Sequence, residues 1–302
     1  MLQDVRASSR LRGKTVPHIC SGTGLNSDIF PGDNMKENYK NEVRYYTFPA
    51  FEEHPEIVHA FTSRECGVSG GYYSSLNMGI HTGDDLENVK TNYRILCKTL
   101  SLDPEKIVLA NLVHGDTIRN VTAADAGAGL WRDFPYEGVD GLLTNEPGLI
   151  LTATFADCVP VFFYDPVKKV IGIAHSGWKG TALEIASKMV DRMQSDYGCK
   201  VEDILAGIGP SIGMCCFETD SDVFMEFAEF PYLDEVWFYP KDDGKFDIDL
   251  WRINFEMLLY AGIPEDNISI SGLCTCCNSD IFFSHRASKG KRGTMAGVIC
   301  LK

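Results

Sequence analysis

Short apolar runs recur along the chain from Val43 onward, separated by polar and glycine-containing segments. Those at 57–61, 107–113, 149–155, 159–164, 170–174, 204–208, 236–239, 268–271 and 296–301 predict strands. Two stretches instead carry an apolar stripe at helical period. Leu86, Val89, Tyr93, Leu96 and Leu100 line one face of a helix over 85–100, capped by Asp84 or Asp85, with Glu87 at capping-box spacing from Asp84. Ile185, Met189 and Met193 mark a second helix that opens at Thr181, where Thr181 and Glu184 repeat that spacing, and stops at Gly198. Helices over 222–230 and 250–261 complete the set. The alternation shows no repeat of fixed period, which predicts a single mixed α/β domain over 41–302. Residues 1–40, where Arg6, Arg10, Arg12 and Lys14 lead into Gly22, Gly24, Pro31 and Gly32, lack such periodicity and are expected to form a flexible N-terminal extension.

The chain has 302 residues, 44% of them hydrophobic, enough for one large core. A net charge of −14 argues against nucleic acid as a partner, because a polyanion binder needs a basic face to displace counterions. Any phosphate handled here is small and met by local positive groups. No run approaches a membrane span and the first residues lack a signal-peptide core, so no membrane partner and a cytoplasmic location are expected. The oligomeric state is not legible. The 11 cysteines are odd in number and several sit inside apolar runs, which points to reduced thiols. Cys274 and Cys277 have a spacing that a structural zinc uses, and Cys276 lies between them. No matching pair follows downstream, and adjacent cysteines such as Cys215 and Cys216 rarely ligate one metal, so these are expected to be buried or half-buried thiols.

Chemistry concentrates where apolar runs end. Cys158 lies in Ala156-Asp157-Cys158-Val159-Pro160, His175 opens His175-Ser176-Gly177-Trp178-Lys179-Gly180-Thr181, and His114 follows the run at 107–113. Two histidines and a cysteine from three adjacent strand ends, with a vacant fourth position, describe a catalytic zinc site, because a water held there gains acidity. The same ligands suit a blue-copper centre with an axial methionine. Cys158 and His175 also suit a Cys-His hydrolase, or the trio a structural zinc module, although three ligands leave a structural tetrahedron one short. The turn before Thr181 places free amides of residues 180–183 and the Lys179 charge in one small volume suited to phosphate. Arg64 leaves a strand-like run in a Gly/Ser-rich segment, and Arg286 follows Phe282-Phe283-Ser284-His285; both suit bidentate recognition of an anion. Asn77 and, just beyond it, His81 are candidates to line a substrate pocket.

These motifs also stand in a particular order. Thr62-Ser63-Arg64, Gly67-Val68-Ser69 and Ser75-Leu76-Asn77 are followed by Val113-His114-Gly115, Asp140-Gly141-Leu142, the Cys158 and His175 motifs, Gly209-Pro210-Ser211-Ile212-Gly213 and Phe282-Phe283-Ser284-His285-Arg286. The series, from about Val43 to the C-terminus, closely resembles the YfiH family, also called the laccase-domain or multicopper polyphenol oxidase family, whose members are regarded as purine nucleoside phosphorylases. The resemblance implies a four-layer α/β/β/α sandwich with mixed β-sheets and a zinc held by His114, Cys158 and His175. It also implies phosphorolysis of adenosine, inosine or guanosine, cleavage of methylthioadenosine, and deamination of adenosine. Purine nucleosides and phosphate are the partners so implied, and Arg64 and Arg286 fall on the family's active-site arginine motifs. Arg292-Gly293-Thr294-Met295 replaces the common Thr-Gly-Arg-Met order, which leaves Arg292 without an assigned role. Asp157, beside the ligand Cys158, is the candidate acid/base group, or else a carboxylate orienting a histidine. Copper, with polyphenol oxidation, is the alternative cofactor reading.

Overall fold

The computed structural model describes residues 35–228, 230–232 and 237–302. One six-stranded sheet runs in the order β1 (Lys36–Lys40), β2 (Val43–Thr47), β3 (Ile57–Thr62), β15 (Met295–Leu301), β7 (Ile150–Phe155) and β4 (Ile107–Leu109). A second runs β14 (Ile268–Ile270), β10 (Leu205–Ile208), β8 (Val159–Asp165), β9 (Val170–Ser176), β6 (Gly141–Thr144) and β5 (Ile118–Asn120). Both are mixed: β4 pairs with β7, β10 with β14 and β5 with β6 in parallel, whereas the other neighbours are antiparallel. A small sheet of β11 (Glu218–Thr219), β13 (Phe246–Ile248) and β12 (Phe238–Pro240) lies apart in the hydrogen-bonding order.

The strand period of two explains the layers. In β8, Phe162 and Tyr164 join the core between the two large sheets, while Val161 and Phe163 join the core on the other face. That outer core is closed by α4 (Ile185–Tyr197) and α6 (Leu250–Tyr260), through Met189, Val190, Ile253 and Leu258. On the first sheet, α2 (Leu86–Leu100) lays Val89, Tyr93 and Leu96 over Ala60, Ile107 and Val298. The result is one α/β/β/α sandwich. Strands β8, β9 and β15 are buried at every position because both faces are covered, which is why they read as unbroken apolar runs. The remaining helices are short: α1 (Pro49–Glu52), α3 (Trp178–Ala182), α5 (Ser221–Met225) and α7 (His285–Ser288). None of the helices among the described residues is long and apolar enough to cross a membrane.

Several sequence expectations need correction. The strand expected over 107–113 ends at Leu109, because residues 110–113 leave the sheet for an irregular loop. The helix expected to open at Thr181 is two helices. Its first turn begins at Trp178, and Glu184 at φ 59° breaks the chain before α4. Neither capping box forms. The Thr181 hydroxyl pairs with Ser176 Oγ, the Glu184 carboxylate accepts from Tyr232, and Asp85 caps α2 by accepting from the Glu87 amide. The helix at 222–230 is limited to α5, with Glu229 outside the described residues, and the strand at 236–239 appears as β12, with Val236 likewise outside. Residues 1–34 of the expected N-terminal extension are not among the described residues. Its last five, however, form β1, paired along its whole length with β2. This strand is exposed at four of five positions, so it shows no apolar alternation to read.

His59 in β3 is a core group. Its Nε2 accepts a 2.7 Å hydrogen bond from the Phe48 amide between the rings of Phe48 and Phe51. Burial pulls its pKa down to about 3, against the opposing charge of Glu52. An unfolded chain holds this histidine near its ordinary value of about 6.5, so it binds the extra proton over the interval between the two. The stabilising contribution is therefore full above pH ~6.5 and is lost as pH falls towards 3. We expect His59→Gln, which keeps an acceptor near the amide, to be less stable at pH 7 by about 1–3 kcal/mol yet flatter between pH 6.5 and 4. Urea unfolding across that range decides it; parallel losses in parent and variant count against His59.

Candidate metal centre

The ligand atoms of His114, Cys158 and His175 lie within 4.8 Å of one another. The expected trio thus meets, but on a different scaffold from three adjacent strand ends. Cys158 sits in the connection that carries the chain from β7 in the first sheet to β8 in the second, His175 lies inside β9, and His114 lies in the loop beyond β4. Two of these positions depend on backbone that ordinary residues rarely adopt, with φ 60° at His114 and 86° at Asp157. Strain of this kind persists only where surrounding bonds over-determine it.

Asp140, just before β6, supplies those bonds for His114. Its carboxylate accepts from the amides of Val113, His114 and Gly115 at 3.1, 3.0 and 2.9 Å. It also takes His175 Nδ1 at 3.0 Å, while its carbonyl accepts from the His175 amide. One fully buried carboxylate therefore shapes the His114 loop and fixes the His175 ring, leaving His175 Nε2 to serve as a ligand. Burial works against its charge, and the bonds from His175 and the amides outweigh this and lower its pKa. In the sequence Asp140 stands out only as part of the Asp140-Gly141-Leu142 motif. Its aspartate directly before an apolar run, next to a histidine loop far away in sequence, carried no local signal of this role.

The electrostatics suit a cation. Burial pushes the Cys158 thiol up, but His175 and His114 bring it down to about 6. Burial disfavours a charged His175, yet the Cys158 thiolate and Asp140 raise it to about 9. The pair is thus an ion pair awaiting a positive charge to replace the imidazole proton. The two imidazole rings meet edge to face at 4.8 Å, with Phe155 5.5 Å from His175 on the inner side. Space is kept beside the sulfur by Gly177: a Cβ there falls 2.9 Å from Cys158 Sγ and 3.4 Å from His114 Cδ2. A thiolate, two imidazoles, an orienting carboxylate and an exposed His114 side are a donor set that fits zinc with an open position.

The other predicted residues divide. Asp157 does not orient a histidine: its carboxylate accepts from Thr275 Oγ1, Ser284 Oγ and the Arg286 amide at 2.7, 3.1 and 2.7 Å. The Arg286 guanidinium donates to the carbonyls of Cys216 and Glu218. That of Arg64 donates to Ser74 and Ser279 carbonyls and lies 4.5 Å over the Phe283 ring. Both arginines keep further N–H positions, since a guanidinium has five. Lys179 is exposed against Trp178. The amides of Thr181 and Leu183 are taken by the Gly177 and Lys179 carbonyls, so these two of the four amides expected to be free at 180–183 are already bonded. His81 is exposed beside Phe134. Asn77 is fully buried, donating to Thr82 and Asp84 and accepting from the Gly79 and Thr294 amides, which gives it a role inside the loop. Arg292, left without a role by its displaced motif, is close enough to Cys158 and Asp157 to feel both charges. Burial lowers its pKa against them, and its Nε has no partner among the described residues.

Residues 58–302 match the family described as multi-copper polyphenol oxidoreductase laccase. The chain belongs to this family. It is 40% identical over 268 residues to purine nucleoside phosphorylase YlmD of Geobacillus stearothermophilus, covering 88% of this chain and 97% of that protein. The protein of the same name from Bacillus subtilis is 35% identical, over 83% of this chain and 91% of its own length. Among solved structures, the Bacillus licheniformis hypothetical protein YfiH superposes with a TM-score of 0.82 at 38% identity, over 87% of this chain and all of that one. The fold of this family is therefore the fold seen here.

Proposed function

We propose that the protein is a zinc-containing purine nucleoside phosphorylase acting on adenosine, inosine, guanosine and methylthioadenosine, with a hydrolytic activity that deaminates adenosine. The observation that carries this reading is the convergence of His114, Cys158 and His175 in a chain 40% identical to a relative named for phosphorylase activity. The copper oxidase reading fares worse. A cluster of several coppers needs many histidines, and of the 7 present His59 is spent in the core and His54 packs on Tyr164.

His114, Cys158 and His175 would hold the zinc, which would supply a Lewis acid for the chemistry. The chain's own residues do the rest. In phosphorolysis a phosphate oxygen bonds to the anomeric carbon as the bond to the purine nitrogen breaks, and the departing base keeps the electron pair and takes up a proton. Arg64, Arg286, Lys179 and Arg292 are the cations proposed to hold phosphate, Arg292 being buried with an unpartnered Nε and close enough to Cys158 and Asp157 to feel their charge. Asp157 is the carboxylate proposed to manage the proton, while its three hydrogen bonds keep the wall containing Arg286 in place. His81 is proposed at the substrate edge. Asn77 contributes by holding the loop that carries it.

Inosine turnover is expected to require phosphate and to yield ribose 1-phosphate, whereas adenosine gives inosine without it. Arg64→Ala or Arg286→Ala is expected to slow phosphorolysis at least about tenfold, the loss of one charged contact of about 1.5–3 kcal/mol, and to leave deamination less affected. Free ribose in place of ribose 1-phosphate, or turnover indifferent to phosphate, overturns the reading.

A further inference from the structure

A second cluster of metal-ligating side chains lies on the far side of Asp157. The sulfurs of Cys215, Cys216, Cys274 and Cys277 all lie within 4.8 Å of one another. Those of Cys216 and Cys277 are 3.4 Å apart, and those of Cys215 and Cys277 3.6 Å. Neither separation is a disulfide, whose sulfurs lie about 2.05 Å apart. Both are near the edge of a tetrahedron of thiolates around zinc, which at a bond of about 2.3 Å is about 3.8 Å.

The backbone explains how two loops from the ends of neighbouring parallel strands bring four sulfurs together. Beyond β10 and β14, Ser211 bridges Cys274, with the Thr275 amide on the Ser211 carbonyl and the Ser211 amide on the Leu273 carbonyl. Residues 274–278 then form one helical turn closed by the Asn278 amide on the Cys274 carbonyl, so Cys274 and Cys277 share a face. Opposite, the amides of Cys216 and Phe217 both return to the Gly213 carbonyl. In that turn the adjacent Cys215 and Cys216 do not point apart as they do in a strand, which removes the reason for expecting them not to share a metal. Gly213 permits the approach: a Cβ there meets Cys215 Sγ and the Cys274 Cβ at 3.3 Å each, and its amide donates to Cys274 Sγ.

We propose that Cys215, Cys216, Cys274 and Cys277 form a four-thiolate site for one structural zinc ion, separate from the His114, Cys158 and His175 centre. Each thiol gives up its proton as its sulfur bonds the ion, so the occupied site carries two net negative charges. The Arg286 guanidinium, on the carbonyls of Cys216 and Glu218, stands beside that charge. The ion pins the loop at 213–217 to the turn at 274–278. That turn carries Thr275, which donates to Asp157 next to the ligand Cys158. The site thereby stiffens the wall from which Asp157 and Arg286 are presented. Four protein ligands leave no open position, which assigns it a structural role.

The test uses full-length reduced protein, stripped by a chelator and titrated with zinc in the absence of oxygen. Two zinc ions per chain are expected for the parent, one for Cys158→Ala, one for Cys277→Ser and none for the double variant. Because a cysteine variant can fail to fold, the parent is also alkylated and each site mapped by mass. Zinc is expected to slow labelling of Cys215 and Cys277 at least about tenfold while exposed Cys66 is labelled alike with and without it. A Cys158→Ala protein that binds no zinc, or labelling of Cys215 and Cys277 that ignores zinc, overturns the proposal. Neither result bears on whether the parent phosphorolyses nucleosides.

Discussion

Cys158→Ala should cost the enzyme one zinc per chain and lower phosphorolysis and deamination together by a factor of about a hundred or more. The sulfur is the anionic donor of the trio, brought down as a thiolate by His175 and His114, and alanine leaves only the two imidazoles to hold a dication. Changing a residue that merely orients a metal ligand already costs about 10–100-fold in affinity or activity, so loss of a thiolate ligand lies at or beyond the upper end. Removing the small thiol from this half-buried connection between the two sheets leaves Asp157 in its three hydrogen bonds, so the chain is expected to remain folded. Elemental analysis before and after gel filtration, together with turnover of inosine and adenosine, measures the effect. Unchanged zinc content removes Cys158 from the ligand set, and bound copper with strong visible absorption replaces the zinc reading altogether.

What could be read from the chain follows from where the physical signal is local. Strands β8, β9 and β15 are continuous apolar runs because helices or a second sheet cover both faces, and α2 shows its stripe because only one face is covered. The strands that escaped reading are short or polar. β5 and β11 span three and two residues, and β1 is a solvent-facing edge of charged and polar groups. At the proposed metal centre the candidate ligand types are legible because thiol and imidazole stand near the ends of apolar runs. Their support is not. Asp140 binds a loop 25 to 27 positions upstream and a ring 35 positions downstream, and such pairing exists only once both sheets are folded. Asp157 misled by adjacency: its side chain turns to Thr275, Ser284 and Arg286, more than a hundred positions away. The same holds for the paired cysteines, whose convergence depends on two helical turns that sequence spacing does not reveal.

Asp140→Asn should separate these two carboxylates. The substitution keeps the volume but turns part of an acceptor into a donor, facing three amides and the Nδ1 of His175 that all need an acceptor. At least one of them is left unsatisfied in a buried place, a loss of about 1–3 kcal/mol in stability. The His175 ring also loses the partner that fixes its orientation and tautomer, and His114 loses the anchor that holds its φ at 60°. Zinc affinity at the His114, Cys158 and His175 centre is therefore expected to fall about 10–100-fold. Asp157→Asn, whose carboxylate touches no imidazole, is expected to leave that affinity within a few-fold while slowing turnover through loss of the proposed proton-handling carboxylate and displacement of the Arg286 segment. Competition for zinc against a chromophoric chelator reads the affinity, and urea unfolding of the metal-free proteins reads stability separately. If Asp140→Asn loses stability but binds zinc as tightly as the parent, the carboxylate only holds the loop and the ring orients itself; if Asp157→Asn is the variant that loses zinc, the orienting role belongs to Asp157.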